Sequence, residues 1–249
     1  MMRIWNRRWR GVCAIALACL PLHAAAAEPV RVVTTELPPF AMESEPDAPG
    51  ALLDIVQELL RRTQVEGKVE FVPWRRALLL STTGRRAAIF PLSRTPEREG
   101  QYRWLARLYY ERFVFLSART RAFDVAAPQH ETRRRIGVLR GSAAIGALRG
   151  LGYTNLVEAA SIDEELRFLK RGIVDAVFGE SAIFHHVLKE RIGDSYLVSA
   201  PQHSVSTWLG GSLDFSEADA ALFAKARKDM VDDGTYARIL KKYGLPNAP

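Results

Sequence analysis

From residue 30 onward the chain alternates between two kinds of segment, and no other feature restricts its fold so severely. VRVVTT (30–35), KVEFV (68–72), AAIFPL (87–92) and YYERFVFLSA (109–118) are rich in β-branched and aromatic residues and read as strands. Between the first two, residues 51–62 place Leu52, Ile55, Val56, Leu59 and Leu60 on one helical face. A short helix is expected over 75–83. Thr95-Pro96-Glu97-Arg98 carries the N-cap, N1 and acidic first-turn signals of another helix start. The pattern then restarts. RIGVL (135–139), TNLVEA (154–159), IVDAVFG (173–179) and SYLVSA (195–200) read as strands. Gly141-Ser142 opens a helix, the Ser161–Glu164 capping box begins one that ends near Gly172, and a further helix is expected over 180–192. From Ser216 the chain reads as helical, with Gly234 as a break. Such alternation demands parallel βαβ units. Two series in one chain predict an α/β fold of two lobes, with the polar stretch 118–134 as the surface crossing between them. No short tandem repeat is present.

The segment before this alternation reads as an address. Residues 1–10 are basic, residues 11–22 (GVCAIALACLPL) form an apolar run, and HAAAAE supplies the small residues a signal peptidase needs. A cleaved signal peptide over 1–27 is expected, with cleavage near Ala26–Ala27 and a bacterial periplasm as destination. The run is short for a membrane span, which needs roughly 20 apolar residues. Arg7–Arg8 leaves twin-arginine export open, and Cys19 in Ala-Leu-Ala-Cys leaves lipidation open. Both cysteines, Cys13 and Cys19, fall inside this segment. The remainder therefore excludes cysteine catalysis, thiolate metal sites and disulfides, and must stand on an apolar core. Four arginines of the formal +7 also lie in 1–27, leaving +3 elsewhere. That balance gives no footprint for nucleic acid.

In open α/β sheets ligands bind beyond the carboxyl ends of the strands. Glu36, Pro38, Pro39 and Phe40 stand after the first strand and Trp74, Arg75 and Arg76 after the second. Pro91, Leu92, Ser93 and Arg94 follow the third, with Arg98 one turn on. In the second series Gly141, Ser142 and Ala143 follow the first strand, and Gly179, Glu180 and Ser181 the third. Arg98 and the N–H groups near Ser142 suit a carboxylate. Glu180 suits an ammonium, and Phe40 or Trp74 provides an apolar or cation–π wall. Together they would hold a small zwitterion. Taken singly, each has a plain alternative: Arg98 a solvated charge, Glu180 a favourable charge at a helix N-terminus, Trp74 a core residue. Enzyme motifs are absent: no G-x-S-x-G, no P-loop and no G-x-G-x-x-G. His185 and His186 are adjacent and point to different helix faces, a poor metal pair. No catalytic residue, cofactor or metal is assigned.

Several segments together resemble the family 3 extracellular solute-binding proteins, the periplasmic receptors of polar amino-acid ABC importers. They are VRVVTTELPPF, VEFVPWRRAL, IFPLSRTPERE, RIGVLRGS, DAVFGES and DDGTYARILKKYG, spanning about 30–244. The resemblance implies two lobes joined by two crossing strands, the type II periplasmic binding protein fold. The first lobe would take residues 28–115 and 203–249, the second 116–202. It also implies that Arg98 holds a ligand's α-carboxylate with help from the backbone amides of Ser142 and Ala143. Glu180 would take the α-ammonium, Phe40 and Trp74 would frame the side chain, and Glu36, Leu92 and Ser93 would complete the site. The chain departs from the family pattern at Ala87-Ala88, where Asp-Ala is usual, and at Phe90, Pro91 and Leu92, where polar residues are usual. Ala143 replaces a common hydroxyl, and Glu180 a more usual Asp. The implied partners are a small amino-acid-like ligand and an inner-membrane ABC permease, with the receptor a monomer. Two alternatives stay open: a periplasmic dehydratase of cyclohexadienyl type with Glu180 or Glu36 as general acid or base, and a receptor feeding a sensor kinase.

Overall fold

The computed structural model describes residue 1 and residues 28–189 and 195–247. The expected signal peptide, its two cysteines and the end of the helix over 180–192 lie outside the described residues. The first series comprises β1 (Val30–Thr34), α1 (Ala51–Thr63), β2 (Gly67–Phe71), α2 (Trp74–Thr83) and β3 (Ala87–Ser93). The long β4 (Arg103–Ala118) follows. The second comprises β5 (Ile136–Leu139), α3 (Ala144–Gly150), β6 (Leu156–Ala159), α4 (Ile162–Arg171), β7 (Ala176–Glu180) and α5 (Ser181–Val187). The chain closes with β8 (Tyr196–Val198), β9 (His203–Gly211), α6 (Glu217–Asp232) and α7 (Thr235–Lys242). Among the described residues no helix is long and apolar enough to cross a membrane.

The strands join in the order β2-β1-β3-β9-β4-β7-β5-β6, with β8 paired to β4. β1 pairs in parallel with β2 and β3, and β5 in parallel with β6 and β7. These are the two βα series read from the sequence. β4 and β9 run antiparallel to each other from Arg103–Gly211 to Phe113–His203. At Phe113 β4 acquires β7 as a partner, and from Leu116 it pairs with β8. One continuous strand therefore belongs to both series. The two lobes are joined by two crossing strands, β4 and β9.

This corrects the sequence reading at four points. The crossing is not the polar stretch 118–134, which follows β4, contributes the buried Phe123 to the second core and also buries Pro128. β4 begins six residues before the expected strand at 109. β9 carries no strand signal in the sequence, yet it lies between β3 and β4. The Thr95-Pro96 signal also yields only a single 3-10 turn, Pro96–Arg98, with no side-chain cap from Thr95.

Two apolar clusters hold the lobes. The larger packs α1, α6 and α7 against the sheet through residues such as Leu52, Ile55, Leu59, Phe223 and Leu240, and continues along the α4 side of the second series. The smaller packs α3 against Phe113, Phe115 and Phe178. Every residue of β3 and β5 is buried, as parallel strands covered on both faces require.

Candidate functional site

The site is built at the carboxyl ends of these strands. After β1 the chain turns at 37–41, where Leu37 and Ala41 form an isolated bridge. The first N–H groups of α1 would otherwise be unpaired. Ala51 donates to the Pro39 carbonyl at 2.9 Å, and Leu52 and Leu53 both donate to the Phe40 carbonyl at 3.0 Å. That fixes Phe40. Gly50 makes the approach possible, because with φ +111° a Cβ there would overlap the Phe40 carbonyl. Trp74 is the first residue of α2, preceded by Pro73, and is buried.

Arg98 reaches back from the 3-10 turn. Its Nη1 donates to the Ser93 carbonyl at 2.9 Å, and its Nη2 donates to the Gly141 carbonyl at 2.9 Å. The second bond spans from the first lobe to the second. Burial pulls the Arg98 guanidinium downward from its ordinary value, and the fields of Tyr102, Glu97 and Glu180 oppose that. On the second lobe, Gly141 takes φ +77° in the turn after β5, where Ser142 N–H donates to Leu139 O at 3.0 Å. Glu180 ends β7. Burial raises its carboxyl, while its own backbone N–H and Arg98 pull the other way.

Leu37, Phe40, Trp74, Pro91, Ser93 and Arg98 meet Leu139, Ser142, Ala143, Glu180, Ile183 and Thr207 around one narrow, nearly closed cavity of about 10 Å³, room for about one water. Seven of the nine residues expected from sequence line it: Phe40, Trp74, Ser93, Arg98, Ser142, Ala143 and Glu180. Two do not. Glu36 is exposed, and its Oε2 accepts the Glu43 N–H at 2.9 Å, so its carboxylate holds the loop. Leu92 is fully buried and packs toward Gly210 of β9. The Ser142 N–H, expected to reach a ligand, is used in the turn.

The remaining lining residues were missed for separate reasons. Leu37, Leu139 and Ile183 are ordinary apolar residues within or beside elements, and Thr207 sits on the unrecognised β9. Only Pro91 carried a signal, as a residue at the end of β3.

Two of the residues lining the cavity carry a buried polar atom without a partner, the Trp74 indole Nε1 and the Ser142 hydroxyl. Buried polar groups are ordinarily hydrogen-bonded. Arg98 and Glu180 stand on opposite lobes within electrostatic reach, but they are not ion-paired to each other. A guanidinium and an indole N–H from the first lobe, with a hydroxyl and a carboxylate from the second, would bind a compact molecule carrying both a carboxylate and a cationic group. The apolar walls would exclude water from both contacts. A second, more open cavity is lined by Tyr109, Glu111, Arg112, His185 and Tyr243 among others. It too brings charges from both lobes together, Glu111 and Arg112 from the first and Lys189 from the second. Among the described residues no cluster of His, Cys, Asp and Glu is arranged to hold a metal ion.

Comparison with known proteins gives the same outline. The family model of bacterial extracellular solute-binding proteins, family 3, matches residues 30–246. The arginine-, lysine-, histidine-binding protein ArtJ from Geobacillus stearothermophilus superposes with a TM-score of 0.79 at 19% identity, covering 88% of this chain and 97% of that one. The substrate-binding protein of an amino acid ABC transporter gives 0.74 at 16% identity, covering 86% and 98%. A histidine kinase sensor domain with similarity to periplasmic binding proteins gives 0.78 at 15% identity, covering 88% and 96%. A search of curated protein sequences found no match.

Proposed function

The chain belongs to the bacterial extracellular solute-binding proteins of family 3, and from that premise we propose that it captures a small amino-acid-like ligand between its lobes in the periplasm and delivers it to an ABC importer. The lobes are residues 28–115 with 203–249, and 116–202. Arg98, with Trp74 Nε1 and the Ser142 hydroxyl, takes the ligand's carboxylate. Glu180 takes its ammonium group, and Phe40, Leu37 and Ile183 surround its side chain. One observation carries the reading: Arg98 and Glu180 line one cavity from opposite lobes without pairing to each other. A charged guest leaves water only if each charge finds a partner. A guest that touches both lobes stabilises the closed state over the open one. The narrow, largely apolar cavity favours a short side chain over a long polar one.

Delivery to a permease is supported by the family and by the transporter neighbour. A sensor-linked receptor is the second reading, favoured by the likeness to a kinase sensor domain. A dehydratase on the same scaffold would use the raised carboxyl of Glu180 as its acid. A thermal-shift screen of amino acids, polyamines and small organic acids tests capture, since a ligand of the native state raises the melting temperature. A flat response to every class sinks the proposal. Recovery of the bound compound chemically unchanged decides against the dehydratase.

A further inference from the structure

Arg98 is presented by a turn that has little of its own to hold it. Pro96–Arg98 is a single 3-10 turn without a side-chain cap, and such turns have poor hydrogen-bond geometry. Within it the Arg98 N–H donates to the Thr95 carbonyl at 3.0 Å, and the Glu99 N–H reaches the Pro96 carbonyl only at 3.4 Å. A pair of side chains closes the turn at its two ends. Arg94 Nε donates to Glu99 Oε1 at 2.7 Å, and Arg94 Nη2 donates to Glu99 Oε2 at 3.0 Å. The contact is bidentate, which adds direction as well as strength.

Arg94 is itself fixed on the sheet. Its N–H donates to the Ser206 carbonyl of β9 at 2.9 Å. Its guanidinium carbon lies 5.1 Å from the ring centroid of Trp104 and 5.0 Å from that of Trp208. The two indoles meet edge to face with centroids 6.0 Å apart, and Trp208 Nε1 donates to the Ser206 hydroxyl at 2.9 Å. Ser93 stands opposite Thr207 in the β3–β9 ladder, and both line the narrow cavity. Arg94 follows Ser93 and Trp208 follows Thr207, so both turn to the opposite face of the sheet. An exposed ion pair alone contributes little. Here the fork and the two ring contacts act on one guanidinium.

We propose that Arg94 is a positioning residue for ligand capture: clamped to Glu99 and laid over Trp104 and Trp208, it fixes the turn that aims Arg98 at the ligand's carboxylate. This rests on the reading of Arg98 as the carboxylate partner. Arg94 is not among the residues that line the cavity. It acts from behind the sheet, through the guanidinium that bonds the Ser93 carbonyl at 2.9 Å. A lysine at position 94 would keep the charge but lose the planar fork and the ring stacking.

The test uses the purified protein in two arms. In the first, wild type and Arg94→Lys are crystallised without ligand. The Arg98–Ser93 bond lies within one lobe, so it reports on the turn however far the cleft is open. In the variant that bond is expected to break, with the 95–98 backbone displaced and β3 and β9 unmoved. In the second, the standard L-amino acids are screened by thermal shift, and the one with the largest shift is titrated by calorimetry into wild type, Arg94→Lys, Arg98→Ala and the double variant. Arg94→Lys is expected to weaken binding by about tenfold, within the coupling shown by residues of one network, and by nothing further once Arg98 is gone. A merely structural role would cost the same in both backgrounds. Arg98 unmoved in the crystal, or losses that add in the double variant, overturns the positioning role and leaves capture standing. No binding by any standard amino acid overturns the capture reading and the affinity effect with it. Where Arg98→Ala leaves no measurable binding, the crystallographic arm decides. Where Arg94→Lys does not fold, Glu99→Gln, a change at a half-exposed residue, replaces it in both arms.

Discussion

Arg98 shows how much one side chain is asked to do. Two of its N–H groups hold the Ser93 and Gly141 carbonyls, and the residue also lines the cavity. Arg98→Ala should weaken binding of whichever amino acid scores in the thermal-shift screen by roughly 2–5 kcal/mol, the usual cost of truncating one member of a buried hydrogen-bonded charge pair. Titration calorimetry would measure it. The empty protein should lose only a few degrees of melting temperature, because both backbone acceptors lie beside the cavity and can take water. A collapse of the empty variant would make Arg98 a structural residue instead. Glu111 makes a different kind of prediction. Its carboxyl ionises near 4.5 in an unfolded chain but at about 8 when folded. Between those values unfolding releases a proton, so stability falls as pH rises, by at most roughly 1.4 kcal/mol per unit, and levels off above the upper value. Glu111→Gln should therefore be more stable than wild type at pH 8, with the gap closing toward pH 4.5, as followed by urea unfolding. A gap that widens toward acid would contradict the buried, neutral carboxyl. Glu111 was invisible in the sequence because a charged residue in a strand reads as solvent-facing. Only the packing of α5 against β4 covers it. Arg98 and Glu180, in contrast, were legible from the rule that ligands gather at strand ends.

At the scale of elements, β1, β3, β5 and β7 could be read from composition because buried parallel strands are nearly continuous apolar runs. β9 could not. HSVSTWLGG mixes polar residues with two glycines, which weakens a strand signal. Its glycines have a packing cause: a side chain at Gly210 would collide with Leu92, and one at Gly211 with Phe215. Thr207 was lost with the strand that carries it. The Ser161 cap was foreseen and differs in one detail. Its hydroxyl accepts the Glu164 N–H at 3.2 Å, but the Glu164 carboxylate accepts from Ala160 rather than Ser161. Ser161→Ala should cost about 1 kcal/mol of stability and leave ligand affinity untouched, since α4 keeps its packing. Gly50→Ala should do the opposite. It forces an L-residue into φ +111° and drives a methyl into the Phe40 carbonyl, which displaces one wall of the cavity. Parallel unfolding and calorimetry would show a loss of both stability and affinity, and affinity equal to wild type would mean that Phe40 does not contact the ligand.

For the whole molecule, the question is what holds the lobes together. β4 is continuous through both, and the chain returns to the first lobe at the start of β9, so the lobes stay tied and rotate about the strand segments near Phe113 and His203 where β4 changes neighbours. Across the cleft the Arg98–Gly141 bond is a neutral acceptor meeting a charged donor, worth about 1.5–3 kcal/mol. A bond of that size leaves an empty protein exchanging between open and closed forms. A ligand that joins Arg98 to Glu180 adds a link present only when closed, and differential affinity alone shifts the balance. Small-angle scattering should therefore record a smaller radius of gyration when the screened ligand saturates the protein. The melting temperature should rise in step, by the equivalent of about 2.7 kcal/mol at a hundredfold excess over Kd. Glu180→Gln should weaken binding and, at ligand levels that saturate the wild type, lose most of the compaction, because only the first lobe still grips the ligand by charge. A wild-type radius that does not change on binding would mean that the cleft is already shut, and the guest would have to enter through a rigid opening that the narrow cavity does not provide.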